Sequence, residues 1–356
     1  MKITFPFSAV VGQDEAKLAL ILSAIDPGMG GVLLTGQKGT GKSTLVRAMP
    51  EILPAVEVCD CSYHCLPGGV LLCPGCSEKQ SDTVVLKPAL VNVPLGADEN
   101  RLLGTLKMDA LLREGRVEFE PGLLALANNQ VLYIDEVNLL PDNIADNILD
   151  CAASGINSVE KDNVSITHPA KFILLGTMNP EEGRLRPQIL DRFAMSVPIE
   201  TIDDPEKRIE IVKRVLAFAE SPVEFNKVFT KQDEKLQKSI NKARSKLSDV
   251  DLPIGMLGTV ASAMAEMGLD GQRADIVTLR AARALAAFNR ENTVTFNCLK
   301  KVAPLCVSHR TREGGLKSAP DKDEILKTLH SSYSTHGKSK SAGKPWNWRE
   351  ALRQNS

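Results

Sequence analysis

Aromatic side chains are scarce in this chain: Phe, Tyr and Trp together make up 4% of its 356 residues. Neither sign of charge is in surplus, with 43 Lys and Arg against 44 Asp and Glu and a net charge of −1. These two shortages argue against a nucleic-acid motor, which needs a basic face and base-stacking rings, and against attraction to an anionic membrane. No apolar run approaches the ~20 residues needed to span a bilayer. The opening MKITFPFSAVVGQDEAK lacks a signal-peptide layout, since Asp14 and Glu15 arrive early. Together these absences predict a cytoplasmic location. There, eight cysteines read as thiols or metal ligands rather than disulfides. No internal repeat is visible.

What is present divides the chain in two, as its length suggests. Through residue 200, the short apolar runs GVLLTG (31–36), VLYIDE (131–136) and FILLGTMNP (172–180) alternate with helical patterns. Runs apolar throughout suit central strands covered on both faces. The alternation predicts an α/β sandwich around a parallel sheet. Residues 201–312 have helical texture, punctuated by Asp251, Pro253, Gly271 and Asn292, and predict a small all-helical domain. Residues 313–356 are rich in Ser, Lys and Gly and read as a flexible tail. Trp346 and Trp348 in that tail either dock on a partner or fold back.

GQKGTGKS, from Gly36 to Ser43, fits the phosphate-loop pattern between a strand and a helix. Glycines let backbone N–H groups wrap phosphates, and the helix N-terminus adds positive potential. Gly36, Gln37, Lys38, Gly39, Thr40, Gly41, Lys42, Ser43 and Thr44 are the predicted ATP contacts. Lys42 reaches the β/γ-phosphates and Ser43 ligates Mg²⁺. Asp135 and Glu136 end an apolar strand and stand beside the phosphates if that strand neighbours the loop's strand. Asp135 would hold the Mg²⁺ and Glu136 would act as general base. Asn179 ends a third apolar strand and is placed to orient the lytic water. Arg186 and Arg192 follow, readable as salt-bridge partners or as fingers acting on a neighbouring subunit.

FPFSAVVGQDEAKLAL, LLTGQKGTGKSTLVRA, FEPGLLALANNQVLYIDEVNLL, HPAKFILLGTMNPEEG, LRPQILDRF and LDGQRADIVTLRAARALAA closely resemble the ATPase (I) subunit family of magnesium chelatase, within the AAA+ ATPases. The resemblance covers about residues 4–312. It implies an αβα AAA+ core, a helical lid and a ring, a hexamer, with ATP between subunits. It implies sensor 1 at Asn179, an arginine finger at Arg192 and sensor 2 at Arg273, with Arg280 the runner-up. Val11 and Gly12, before the first helix, would pack the adenine. Residues about 104–121 resemble the helix-2 insert and about 154–171 the hairpin before sensor 1. The implied partners are an integrin-domain (D-type) subunit and a large porphyrin-binding (H-type) subunit. This chain carries no DxSxS metal motif of an integrin-like domain, so it reads as the motor. The implied reaction is Mg²⁺ insertion into protoporphyrin IX. Cobalt or nickel in another tetrapyrrole, or a MoxR-like remodelling chaperone, are the alternatives. Arg184 and Pro141 stand where the family often has acidic residues.

CDCSYHCLPGGVLLCPGC holds five of the eight cysteines. Cys73 and Cys76 form a C-x-x-C knuckle, and Cys61 and Cys65 supply a second pair. Four thiolates close a tetrahedral Zn²⁺ site, and soft thiolates equally hold an iron–sulfur cluster; free thiols or a redox disulfide are the alternative. Cys59 is a spare or replaces one of the four, and His64 is an additional candidate. Cys151, Cys298 and Cys306 read as packing thiols, and His168 and His309 as structural.

Overall fold

The computed structural model describes residues 3–78, 82–106, 119–161, 164–183, 185–337, 343 and 345–346. Contacts divide it into two compact units, residues 1–193 with 197–238 and residues 194–196 with 239–356. In chain order the strands are β1 (Val32–Thr35), β2 (Val56–Cys59), β3 (Thr83–Leu86), β4 (Leu90–Val93), β5 (Gly104–Leu106), β6 (Phe119–Pro121), β7 (Val131–Ile134), β8 (Ile156–Lys161), β9 (Val164–Pro169), β10 (Ile173–Met178) and β11 (Met195–Pro198).

The central sheet has five strands in the order β11–β1–β10–β7–β4. β10 pairs in parallel with β1 and with β7, and β7 with β4. Val32–Leu34, Val131–Ile134 and Ile173–Leu175 are buried throughout, which is why these runs carry no polar alternation. Register aligns the strand ends: Thr35 faces Met178, and Gly176 faces Ile134. The residues that follow β1, β7 and β10 therefore emerge together at one edge.

Helices flank the sheet. In the first unit they are α1 (Asp14–Ile25), α2 (Lys42–Ala48), α3 (Pro74–Glu78), α4 (Glu99–Leu103), α5 (Leu123–Leu126), α6 (Asp142–Ser154), α7 (Pro187–Leu190), α8 (Pro205–Glu220) and most of α9 (Pro222–Lys246). α6 shows how sequence sets packing. Ile144, Ala145, Ile148, Leu149 and Ala152 lie on one face and are buried against the sheet. Each large side chain there contributes about 1.5–3 kcal/mol of burial. Gly155 ends the helix in the left-handed conformation, φ 71°. Among the described residues three antiparallel ribbons, β2–β3, β5–β6 and β8–β9, stand apart from the central sheet. The tip of β5–β6, 107–118, lies outside the described residues.

Two expectations from sequence need correction. The core does not stop at residue 200: α8 and α9 as far as Lys238 cluster with it. Phe218 and Phe225 pack on Phe5, with ring centroids 5.2 and 5.3 Å away. Arg214 donates to the Ala9 carbonyl at 2.9 Å, and Gln237 to that of Leu53 at 2.8 Å. A helical pattern cannot reveal such distant partners. The second correction concerns the tail, which contains a helix.

The second unit is helical, with the last part of α9, α10 (Ile254–Glu266), α11 (Arg273–Asn289), α12 (Phe296–Val307) and α13 (Lys322–His336). Alanines 281, 282, 284, 286 and 287 line its core and let α11 approach α12 closely. α13 packs on α10 and α12. Arg312, 3% exposed, holds Glu324 through two contacts of 2.5 and 3.2 Å. Phe296 stacks on Tyr333 at 4.1 Å. Trp346 folds back, its backbone N–H donating to Leu252 O at 2.8 Å. Trp348 lies outside the described residues.

Candidate functional site

The loop between β1 and α2 is shaped by three glycines with positive φ: Gly36 at 153°, Gly39 at 86° and Gly41 at 88°. A Cβ on Gly36 would stand 2.3 Å from the Ile199 carbonyl oxygen, so only glycine fits. Gly39 and Gly41 face open space, leaving a cradle of exposed backbone. Lys42 Nζ donates to the carbonyls of Gly36 (2.5 Å) and Gln37 (2.7 Å), spanning the loop it belongs to. Burial lowers its pKa, and the carboxylates of Asp135, Glu182 and Glu136 oppose that shift.

A cleft opens here, lined by Lys38, Lys42, Ser43, Asp135, Glu136 and Asn179 among others. The strand that Asp135 and Glu136 follow, β7, is not adjacent to the loop's strand β1: β10 lies between them. Asp135 is held at this edge by two hydroxyls that sequence reasoning missed. Tyr133 Oη donates to Asp135 Oδ1 at 2.8 Å, and Thr177 Oγ1 donates to the same oxygen at 2.5 Å. Burial pushes the Tyr133 pKa up to about 12. Tyr133 thus links β7 and β10, and Arg47 of α2 lies over its ring at 5.9 Å. Nothing in VLYIDE marks its tyrosine as more than core filler. Ser43 and Asp135 supply the hard oxygen donors that Mg²⁺ prefers, so these residues fit the ion.

Glu136 sits in the left-handed region, φ 58° and ψ 61°, which costs a non-glycine residue about 1–2 kcal/mol. Its N–H donates to Thr177 Oγ1 at 3.3 Å. Its pKa is raised by desolvation first, then by the charge of Glu182, then by that of Asp135, with Lys38 opposing. Glu182, in the NPEE run, is a second residue that sequence reasoning missed. Asn179 is buried and accepts from Glu181 N–H at 3.2 Å. Gln37 reaches Glu181 Oε1 at 3.2 Å, and Gly36, Gln37 and Thr40 line an adjoining cleft with Glu181 and Ile199. Thr44 lines the first cleft.

Other expected site residues lie apart. Val11 and Gly12 do not line the phosphate cleft; Gly12 approaches the Ile202 side chain. Arg192 turns to α6, 2.8 Å from Asp150 Oδ1 and 3.2 Å from Asp146 Oδ1. Arg186 pairs with Asp142 at 2.7 Å. Within one chain both arginines are therefore ion-pair partners. Arg273 opens α11 in the second unit, with Arg280 two turns further along the same helix. Arg184 lies outside the described residues, and Pro141 precedes α6.

The cysteines converge. The sulfur atoms of Cys61, Cys65, Cys73 and Cys76 all lie within 4.8 Å of one another. Cys65, Cys73 and Cys76 are buried, with Tyr63 and Leu72 packed against them. Desolvation pushes up the thiols of Cys59, Cys65 and Cys73, the last to about 11. Cys59 is buried beside Cys76 but is not one of the four. His64 is held by Gln130, Nε2 to Nδ1 3.3 Å. Cys151, Cys298 and Cys306 are buried singly, and His168 is buried with its ring nitrogens on Asn157 and Pro169 O, both at 3.0 Å.

Comparison with known proteins agrees with this architecture. The pattern of the family "Magnesium chelatase, subunit ChlI" matches residues 6–62 and 104–188, and an AAA lid domain matches 257–329. The magnesium-chelatase subunit ChlI homolog of Methanocaldococcus jannaschii is 47% identical, over 88% of this chain and 87% of its own. ChlI of Synechocystis is 43% identical, over 92% and 94%. Among solved structures, a cryo-EM-based complex of subunits BchI and BchD of magnesium chelatase aligns with a TM-score of 0.53 at 41% identity, covering 92% of this chain and 100% of its own. Among the described residues no helix is long and apolar enough to cross a membrane. With its parallel five-stranded core and helical lid, this AAA+ chain belongs to the magnesium-chelatase ChlI family.

Proposed function

We propose that the chain is the ATP-driven motor of a magnesium-chelatase-like complex. It would hydrolyse ATP within a hexameric ring and couple that to insertion of Mg²⁺ into protoporphyrin IX, forming nitrogen–metal bonds. The observation that carries the reading is the shared edge of the sheet. The phosphate loop, the Asp135–Glu136 pair and Asn179 leave three strands in register there, in a chain of this family.

Lys42 gives up its two loop carbonyls and turns to the β/γ-phosphates of ATP. Ser43 and Asp135 would hold Mg²⁺, which when bound neutralises charge on the phosphates. Asn179 orients the attacking water, and Glu136 takes its proton. Arg192 leaves Asp146 and Asp150 to reach ATP on a neighbouring subunit, a contact that only a closed head-to-tail ring supplies. Arg273 reads the γ-phosphate from the lid. The phosphate alters the fold only through its different affinity for two states. The partners are a D-type subunit, consistent with the BchI–BchD complex, and an H-type subunit that carries the porphyrin.

The test mixes the purified chain with D-type and H-type subunits, ATP, Mg²⁺ and protoporphyrin IX and follows metalloporphyrin absorbance. ATP-dependent insertion is expected. Insertion of cobalt or nickel but not magnesium would replace the substrate. ATP turnover without any metal insertion, but with unfolding of a protein client, would replace the function.

A further inference from the structure

We infer that Cys61, Cys65, Cys73 and Cys76 bind one Zn²⁺ in a closed, structural site that buttresses β7 and the β8–β9 ribbon. The inference does not depend on the chelatase reading. Four sulfur atoms lie within 4.8 Å of one another. A tetrahedral zinc with Zn–S bonds of about 2.3 Å needs sulfurs about 3.8 Å apart, a small contraction. A cubane cluster puts each thiolate on a different iron and spreads the four much further. The backbone is already wound around the sulfurs: Cys73 N–H points to Cys65 Sγ at 3.3 Å and Cys65 N–H to Cys61 Sγ at 3.5 Å. Such N–H contacts stabilise thiolate ligands. All four positions come from the protein, leaving none for substrate, so the site serves folding and not turnover.

The loop's neighbours show what the ion would support. Asn128 donates to the carbonyls of Tyr63 (2.8 Å) and His64 (3.0 Å), and Asn129 to His64 O at 2.9 Å. His64 takes up a left-handed φ of 46° to present that carbonyl. Asn128 Oδ1 in turn accepts from Lys171 N–H at 2.9 Å. The Tyr63 ring packs on His168, centroids 4.9 Å apart, at the foot of the ribbon. The metal loop thereby grips the chain just before β7, the strand whose far end carries Asp135 and Glu136.

The experiment uses the full chain, untagged and purified under reducing conditions without added metal. Elemental analysis is expected to give one zinc per chain, lost in Cys65→Ser and in Cys73→Ser and kept in Cys59→Ser. X-ray absorption at the zinc edge of the wild-type protein is expected to count four sulfur neighbours, a readout that stands even if a serine variant fails to fold. Iron in place of zinc, no bound metal, or nitrogen or oxygen neighbours at the zinc would each overturn the assignment. Zinc retained by Cys65→Ser or Cys73→Ser, or lost from a folded Cys59→Ser, would overturn the ligand set.

Discussion

The proposed nucleotide cleft and the cysteine knuckle both gather donors that suit a cation, and they are built on opposite plans. The cleft offers oxygen donors at a helix start and a strand end, keeps them partly exposed, and includes a glutamate in a strained backbone conformation. The knuckle offers sulfur, buries three of its four ligands and leaves no open coordination position. An open site can exchange its contents on every cycle, whereas a closed one can only hold. The difference teaches that local charge does not mark the working site; accessible, unsaturated coordination does.

Five experiments press on that contrast. The largest expected effect is at Arg192. Arg192→Ala should lower kcat for ATP hydrolysis by about 10³-fold or more, the scale of an arginine finger. Mixing that variant with Glu136→Gln should restore activity, because each supplies what the other lacks in a neighbouring active site. An inert mixture together with a lowered Tm would leave Arg192 as a partner of Asp146 and Asp150 only.

Glu136→Gln should reduce kcat by about 10²–10⁴-fold while ATP still binds, as measured by single-turnover hydrolysis and nucleotide affinity. Because the Glu136 pKa is raised, wild-type ATPase should fall as pH drops through that raised value, where the base takes up a proton. Glu182→Gln removes a like charge, so its acid limb should move to lower pH. An unmoved limb would show that Glu182 does not set it.

Tyr133→Phe removes the hydroxyl that donates to Asp135 and meets Thr177. One such bond is worth about 0.5–1.5 kcal/mol, so the Mg²⁺ needed for half-maximal ATPase should rise about two- to tenfold. An unchanged titration would make the tyrosine a packing residue. Zinc removal should matter least to turnover. Tying residue 61 to residue 76 is worth about 3 kcal/mol by chain entropy, so chelation should lower Tm by several degrees. Below that transition kcat should stay within about twofold, as for sites that do not share partners. A parallel loss of kcat and zinc would erase the division between the two regions.

Much of this was legible in the sequence, and what was not has physical causes. The phosphate loop, the acid pair and the four cysteines are local patterns whose spacing follows their chemistry. Strand order is not local: β1, β7 and β10 are equally apolar, and only packing decides that β10 lies between the other two. Tyr133 and Thr177 hide because their hydroxyls work inside buried strands. The tail helix did carry a signal. Asp321 caps it by accepting from Glu324 N–H at 2.8 Å, and Asp followed three residues later by Glu is a helix-start signature inside a Lys- and Ser-rich stretch. Arg273 and Arg280 share one helix and one residue type, so spacing does not choose between them.

Gly36 has a mechanical consequence. Its backbone lies against the Ile199 carbonyl with no room for even a methyl group, and Ile199 N–H donates to Thr35 O at 2.6 Å. Main chain presses on main chain, with no side chain between them to bend. The coupling is therefore stiff. Any displacement of the phosphate loop is handed to the end of β11 and on toward Asp204, where α8 begins, with little lost to slack.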